Sequence, residues 1–117
     1  MQPPKTTRLY RPINDQELAL IKALDFRAFP PRLPEQPFFY PVMNEAYATQ
    51  ITRDWNVPAY GVGFVTRFEV ETSYLQKFAV KNVGGKIHNE LWVPAEELAV
   101  FNQHIIGKIE VISEFRA

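Results

Sequence analysis

His88-Asn89-Glu90-Leu91-Trp92-Val93-Pro94 reads as a β-strand that runs into the start of a helix. Side chains alternate across a strand, so Ile87, Asn89, Leu91 and Val93 share one face, and His88, Glu90 and Trp92 share the other. The first face is mostly apolar and is assigned to the core. The second aligns an imidazole, a carboxylate and an indole, a set able to bind a planar, polar ligand. Pro94 suits the first turn of a helix, and Glu96 and Glu97 suit its positive end. Leu98, Phe101 and Ile105 form the expected buried stripe, with Gly107 as the residue just past its end.

Working outward, the same periodicities predict the remaining elements. Downstream, a last strand runs from Ile109 to Phe115, with Ile109, Val111, Ser113 and Phe115 on one face. Upstream, Gly84-Gly85 makes a turn into a strand over 86–93, and 74–80 reads as a helical turn followed by a strand. Phe64 to Val70 alternates, with Phe64, Thr66, Phe68 and Val70 inward and Val65, Arg67 and Glu69 outward. Asn44 caps a helix that carries Tyr47, Ala48, Ile51 and Trp55 along one face. Leu9 to Ile13 and Phe38 to Pro41 are short strands. Between them, Asn14 caps a helix over Asp15–Leu24, with Glu17 at the capping-box position. The order predicts an α+β fold: a single domain over 1–117, with a mixed or antiparallel sheet and three helices.

Five prolines between 30 and 41 make 29–41 a stiff, extended loop, because proline fixes its own φ and biases the residue before it. Pro31-Arg32-Leu33-Pro34 matches the PxxP pattern that SH3 domains bind, but such four-residue matches are common and a rigid loop packed over the domain is the preferred reading. Thirteen basic and thirteen acidic side chains cancel, which removes the field that announces nucleic-acid binding. No apolar run reaches the roughly 20 residues that a membrane helix needs. The N-terminal Met1-Gln2-Pro3-Pro4 segment lacks the apolar stretch of a secretory signal, so a cytoplasmic location is expected. Without cysteine, and with only His88 and His104 in different elements, no metal site is expected.

Glu90 is the leading candidate for chemistry, since a carboxylate beside an aromatic ring can stabilise an oxocarbenium-like centre. The plain alternative is a solvated carboxylate on an open face. His88, two residues away on that face, is near enough to share a ligand with Glu90, with an ordinary polar residue after a Gly-Gly turn as the plain alternative. Gly61-Val62-Gly63 leads into a strand and so lacks the context of a dinucleotide loop, which leaves phosphate recognition to arginines. Among Arg8, Arg11 and Arg32, the best placed is Arg11, a charged residue among apolar strand neighbours that needs a partner.

An arginine on the first strand (Leu9-Tyr10-Arg11-Pro12), an aromatic on the second (Phe38-Phe39-Tyr40-Pro41) and a glutamate on a late strand resemble the ADP-ribosyltransferase fold. The resemblance implies NAD as substrate. Arg11 would hold its phosphate or ribose, Tyr40 would stack on nicotinamide, and Glu90 would act as the catalytic carboxylate. His88 and Trp92 would line the same site. It requires Arg11, Tyr40 and Glu90 to converge on one cleft. The Ser-Thr-Ser motif of the arginine class is absent, so Tyr40 takes its place. The chain is also similar to a small bacterial family labelled "ADP-ribosylation/crystallin J1". That label belongs to large, all-helical, magnesium-dependent glycohydrolases, which a short, strand-rich chain without a paired Asp-Asp motif does not match. The alternative is a non-catalytic interaction domain whose protein-binding surface is His88, Glu90 and Trp92, extended by the Pro-rich loop or a sheet edge.

Overall fold

The computed structural model of the chain describes residues 4–117. Residues 1–3, where the segment read for a secretory signal begins, lie outside the described residues. The elements are β1 (Thr6–Ile13), α1 (Asp15–Ala23), β2 (Phe38–Phe39), α2 (Glu45–Ile51), a π-helical segment (Thr52–Asn56) and α3 (Val57–Tyr60). They continue with β3 (Val62–Glu71), α4 (Thr72–Leu75), β4 (Val80–Asn82), β5 (Asn89–Leu91) and β6 (Val93–Pro94). A 3-10 turn (Ala95–Glu97), α5 (Leu98–Gln103) and β7 (Ile105–Arg116) complete the α+β chain. Among the described residues, no helix is long and apolar enough to cross a membrane.

All strand pairing is antiparallel. β3 is central between β1 and β7, and Val42 bridges Tyr10 of β1 to Glu90 of β5, which in turn pairs with β4. The pairs Phe38–Pro94, Phe39–Val93 and Val42–Glu90 keep one register, so 38–43 and 89–94 form a single ladder. Pro12 fits within β1 for a backbone reason. Tyr10 directs its N–H to the Val42 carbonyl, so the N–H that Pro12 lacks would also point away from β3.

The sheet has two covered faces. On one, Leu9, Ile13, Phe39, Phe64, Phe68, Leu91 and Val93 pack under α1 and α5 with Ile21, Phe29 and Phe101. On the other, Val42 and Val65 pack with Tyr47 and Ala48 of α2. The alternation expected for β3 holds for Phe64, Thr66, Phe68 and Val70, but Val65 is also fully buried. The physical cause is α2, which covers the face that alternation alone assigned to water.

α2 begins as expected, with the Asn44 side chain accepting from the Tyr47 N–H. The expectation fails one turn later. Pro58 has no N–H to continue an α-helical ladder, and the Val57 N–H instead reaches the Thr52 carbonyl five residues back. The wider turn shifts the phase of the helix, so Trp55, expected on the buried stripe, is 71% exposed. Close approach to β3 is possible only because residue 63 is glycine: a Cβ there would lie 2.6 Å from Thr52 Cγ2 and 3.0 Å from Asn56 Cβ. Gly63→Ala is therefore expected to lower stability by about 1–3 kcal/mol in denaturant unfolding, through overpacking against a buried threonine. An unchanged midpoint would mean that the π-helical segment moves away freely.

The C-terminal third also departs from the sequence reading. α5 is shorter than expected, and Ile105 already belongs to β7. Gly107, with φ of 79°, lies within β7 and does not end the helix. Pro94 lies before the 3-10 turn with an extended ψ of 141°, outside a first helical turn. The strand expected over 86–93 starts at Asn89, because the His88 N–H closes a turn onto the Gly85 carbonyl. A register shift in the β3–β7 ladder, where Thr66 pairs with Val111 but Val65 with Ser113, breaks the single face expected for 109–115. Ile109 packs on the Phe68 side, whereas Ile112 and Phe115 pack with Val65.

Candidate functional site

The five candidate residues divide between the two faces. Arg11 follows Tyr10 and points the opposite way, into the core with Leu9 and Ile13. It is only 8% exposed, and its guanidinium sits 4.6 Å above the Phe39 ring. Glu17 supplies the partner that a buried charge requires: Arg11 Nε donates to Oε2 at 2.7 Å and the second guanidinium nitrogen donates to Oε1 at 3.0 Å. Glu17 thus serves Arg11 in place of the reciprocal half of the capping box, while Asn14 still accepts from its N–H. Arg32 donates to the Phe38 carbonyl near this pair; burial first, and the Arg11 charge second, hold it below the usual arginine range.

Glu90 lies on the other face. Its Oε2 accepts from the Tyr47 hydroxyl at 3.1 Å, and its Oε1 accepts from the Trp92 indole N–H at 2.9 Å. Tyr47 is buried in α2, and burial first, then the Glu90 charge, pushes its phenol up to about 12. It therefore remains a donor to Glu90 at neutral pH. Each carboxylate oxygen has a fixed donor, yet no lysine or arginine forms an ion pair with Glu90 among the described residues.

The ladder register places Tyr40 opposite Trp92, and their rings meet edge to face with centroids 5.9 Å apart. Phe38 joins them at 5.6 Å from Trp92. Lys81, the cross-strand partner of Glu90, holds its ammonium 5.9 Å from the Trp92 ring centroid. His88 turns toward α2, with its ring 4.7 Å from that of Tyr47 and Nε2 2.8 Å from Gln50 Oε1.

The structure therefore brings Tyr40, His88, Glu90 and Trp92 to one face and places Arg11 on the other. The Arg-Tyr-Glu cradle expected from the transferase resemblance is not formed, because the core needs Arg11 for Glu17 and Phe39. Phe38, Tyr47, Gln50 and Lys81 join the cluster in addition to the residues expected from the sequence. Phe38 shares a strand face with Tyr40, and that period-2 signal was present in the sequence. Tyr47 and Gln50 reach Glu90 and His88 only through packing of a helix that precedes them by some forty positions.

The Pro-rich loop packs on the opposite side. Phe29 exchanges backbone hydrogen bonds with the Asn102 side chain, tying the loop to α5. An apolar cavity of about 280 Å³ lies there, between Leu24, Phe29, Pro31, Leu98 and Ala99. Within Pro31-Arg32-Leu33-Pro34, Arg32 is anchored to the Phe38 carbonyl, whereas Pro31, Leu33 and Pro34 are exposed.

These contacts define an α+β domain with an aromatic and carboxylate surface at the edge of the sheet face that α2 partly covers. No protein-family model, curated protein or solved structure matches the chain.

Proposed function

We propose that the chain is a non-catalytic interaction domain that engages a protein partner through Phe38, Tyr40, Glu90 and Trp92. The observation that carries this reading is the fixed pose of the Glu90 carboxylate between Tyr47 and Trp92, beside half-exposed aromatic rings. Trp92 is 39% exposed, enough to contact a partner, and its indole is already oriented by Glu90. Pre-ordered aromatic side chains lose little entropy on binding and dominate interface energetics. His88 and Gln50 extend the polar rim.

The test is retention of proteins on the immobilised chain, with Trp92→Ala and Glu90→Gln compared with Trp55→Ala. The expected result is that the first two abolish retention of a defined partner and the third does not. Equal retention by all three would overturn the reading.

A second reading, an ADP-ribosyltransferase-like domain that binds NAD or another ADP-ribose compound, retains support from the convergence of Tyr40, Trp92 and Glu90. A nicotinamide or adenine ring would stack on the aromatics and a ribose hydroxyl would donate to Glu90, with Lys81 in place of Arg11 for phosphate. Calorimetric titration with NAD and ADP-ribose separates the two. The interaction reading expects no saturable heat, and saturable heat lost in Glu90→Gln would favour the nucleotide.

A further inference from the structure

We infer that the free edge of β4 receives an extended peptide strand that alternates apolar and acidic residues. This inference rests on the interaction reading above and names the partner's chemistry.

The backbone argument comes first. Leu91 donates its N–H to the Pro41 carbonyl, and Met43 donates its N–H to the Asn89 carbonyl. Leu91 and Asn89 therefore direct their backbone groups toward 41–43 and away from β4. Their antiparallel partners on β4 are Val80 and Asn82. In an antiparallel ladder, a pair that does not bond to itself points its groups outward on both sides. The N–H and C=O groups of Val80 and Asn82 thus face the open edge of the sheet. An incoming strand that pairs there completes the ladder at little conformational cost to the domain.

Two side-chain features say which strand fits. On one face, Lys81 forms no ion pair among the described residues, and its ammonium rests near the Trp92 ring. It stands in the row Tyr10, Val42, Glu90, Lys81, so the next position outward is the one an acidic side chain would occupy. On the other face, Val80 forms one wall of a cavity of about 180 Å³, lined also by Met43, Leu75, Phe78 and Leu91. A partner residue on that face, one position away from the acidic one, would cover the 55% exposed Val80 and reach this cavity. Strand addition would also extend the Trp92 surface across Lys81, which joins the two features into one interface.

The experiment uses the full chain labelled with nitrogen-15 and a short synthetic peptide that alternates valine with glutamate. Amide shifts are expected to concentrate at 78–83 and Trp92. Replacing glutamate by lysine in the peptide should weaken binding about tenfold, since a like charge then stands opposite Lys81. Lys81→Glu should reverse that preference. Val80→Pro removes an outward N–H without touching the β4–β5 ladder, so it should abolish binding while the far-ultraviolet spectrum stays unchanged. Shifts that map elsewhere, equal affinity for both peptides, or binding that survives Val80→Pro would each overturn the inference. If partner retention depends on Trp92 but not on Val80 or Lys81, this inference fails and the interaction reading stands. If it depends on none of them, both fail.

Discussion

Arg11→Ala is expected to destabilise the domain by about 3–5 kcal/mol, because it leaves the Glu17 carboxylate partly buried without its cation. The pair is nearly enclosed, with side-chain exposures of 10% and 18%, so solvent screens it little. Its geometry is bidentate, which makes each partner dependent on the other. Urea unfolding followed by circular dichroism measures the loss. A change below about 1 kcal/mol would place the pair in the class of solvated surface ion pairs and remove the structural role given to Arg11. Replacing both partners at once, as Arg11→Met with Glu17→Leu, should recover most of the stability, because no buried charge is then left unpaired. The same variants bear on the transferase reading, since Arg11 is the residue to which the resemblance gives the phosphate. If NAD binds at Tyr40, Trp92 and Glu90 with Lys81 on the phosphate, the folded double variant will bind it as the parent does.

Phe39→Ala is expected to cost a similar amount, about 3–5 kcal/mol, as a fully buried ring is replaced by a cavity. Phe39 is 1% exposed and packs 4.9 Å from Phe29 and 5.5 Å from Phe101, centroid to centroid. It also lies under the Arg11 guanidinium at 4.6 Å, so the two sites should not behave independently. A double-mutant cycle between Phe39→Ala and Arg11→Met is expected to show a coupling of at least about 0.5 kcal/mol. Strict additivity would contradict the stacked contact. Phe39 also holds β2 against β6, so its loss should loosen the Tyr40–Trp92 contact on the opposite face. In a Trp55→Phe background, which leaves Trp92 as the single tryptophan, acrylamide quenching would report that effect, with greater quenching in the variant.

The sequence made much of the framework legible through local rules. Asn14 and Asn44 mark helix starts because their side chains satisfy orphan N–H groups, and both do so in the structure. Phe64, Thr66, Phe68 and Val70 mark a core-facing strand through period-2 alternation. His88, Glu90 and Trp92 share a face for the same reason. The errors arose where a second element changed what a local pattern meant. Val65 is buried because α2 covers it, and Trp55 is exposed because Pro58 forces a π turn before it. Ile109 and Phe115 fall on different faces because a register shift between Val111 and Ser113 interrupts the alternation.

Arg11 shows the limit most clearly. Its position on the first strand was legible, as was its need for a partner. Which partner it takes depends on α1 folding back so that Glu17 meets it, six residues later in the chain. The sequence alone determined the α+β class, much of the strand and helix order, and the alternation that groups Glu90 with His88 and Trp92. Only the tertiary structure decided that Arg11 faces the core while Glu90 faces Tyr47. Side-chain periodicity is local to one strand, but the relative facing of two strands follows from their ladder register and from the helices packed on each side.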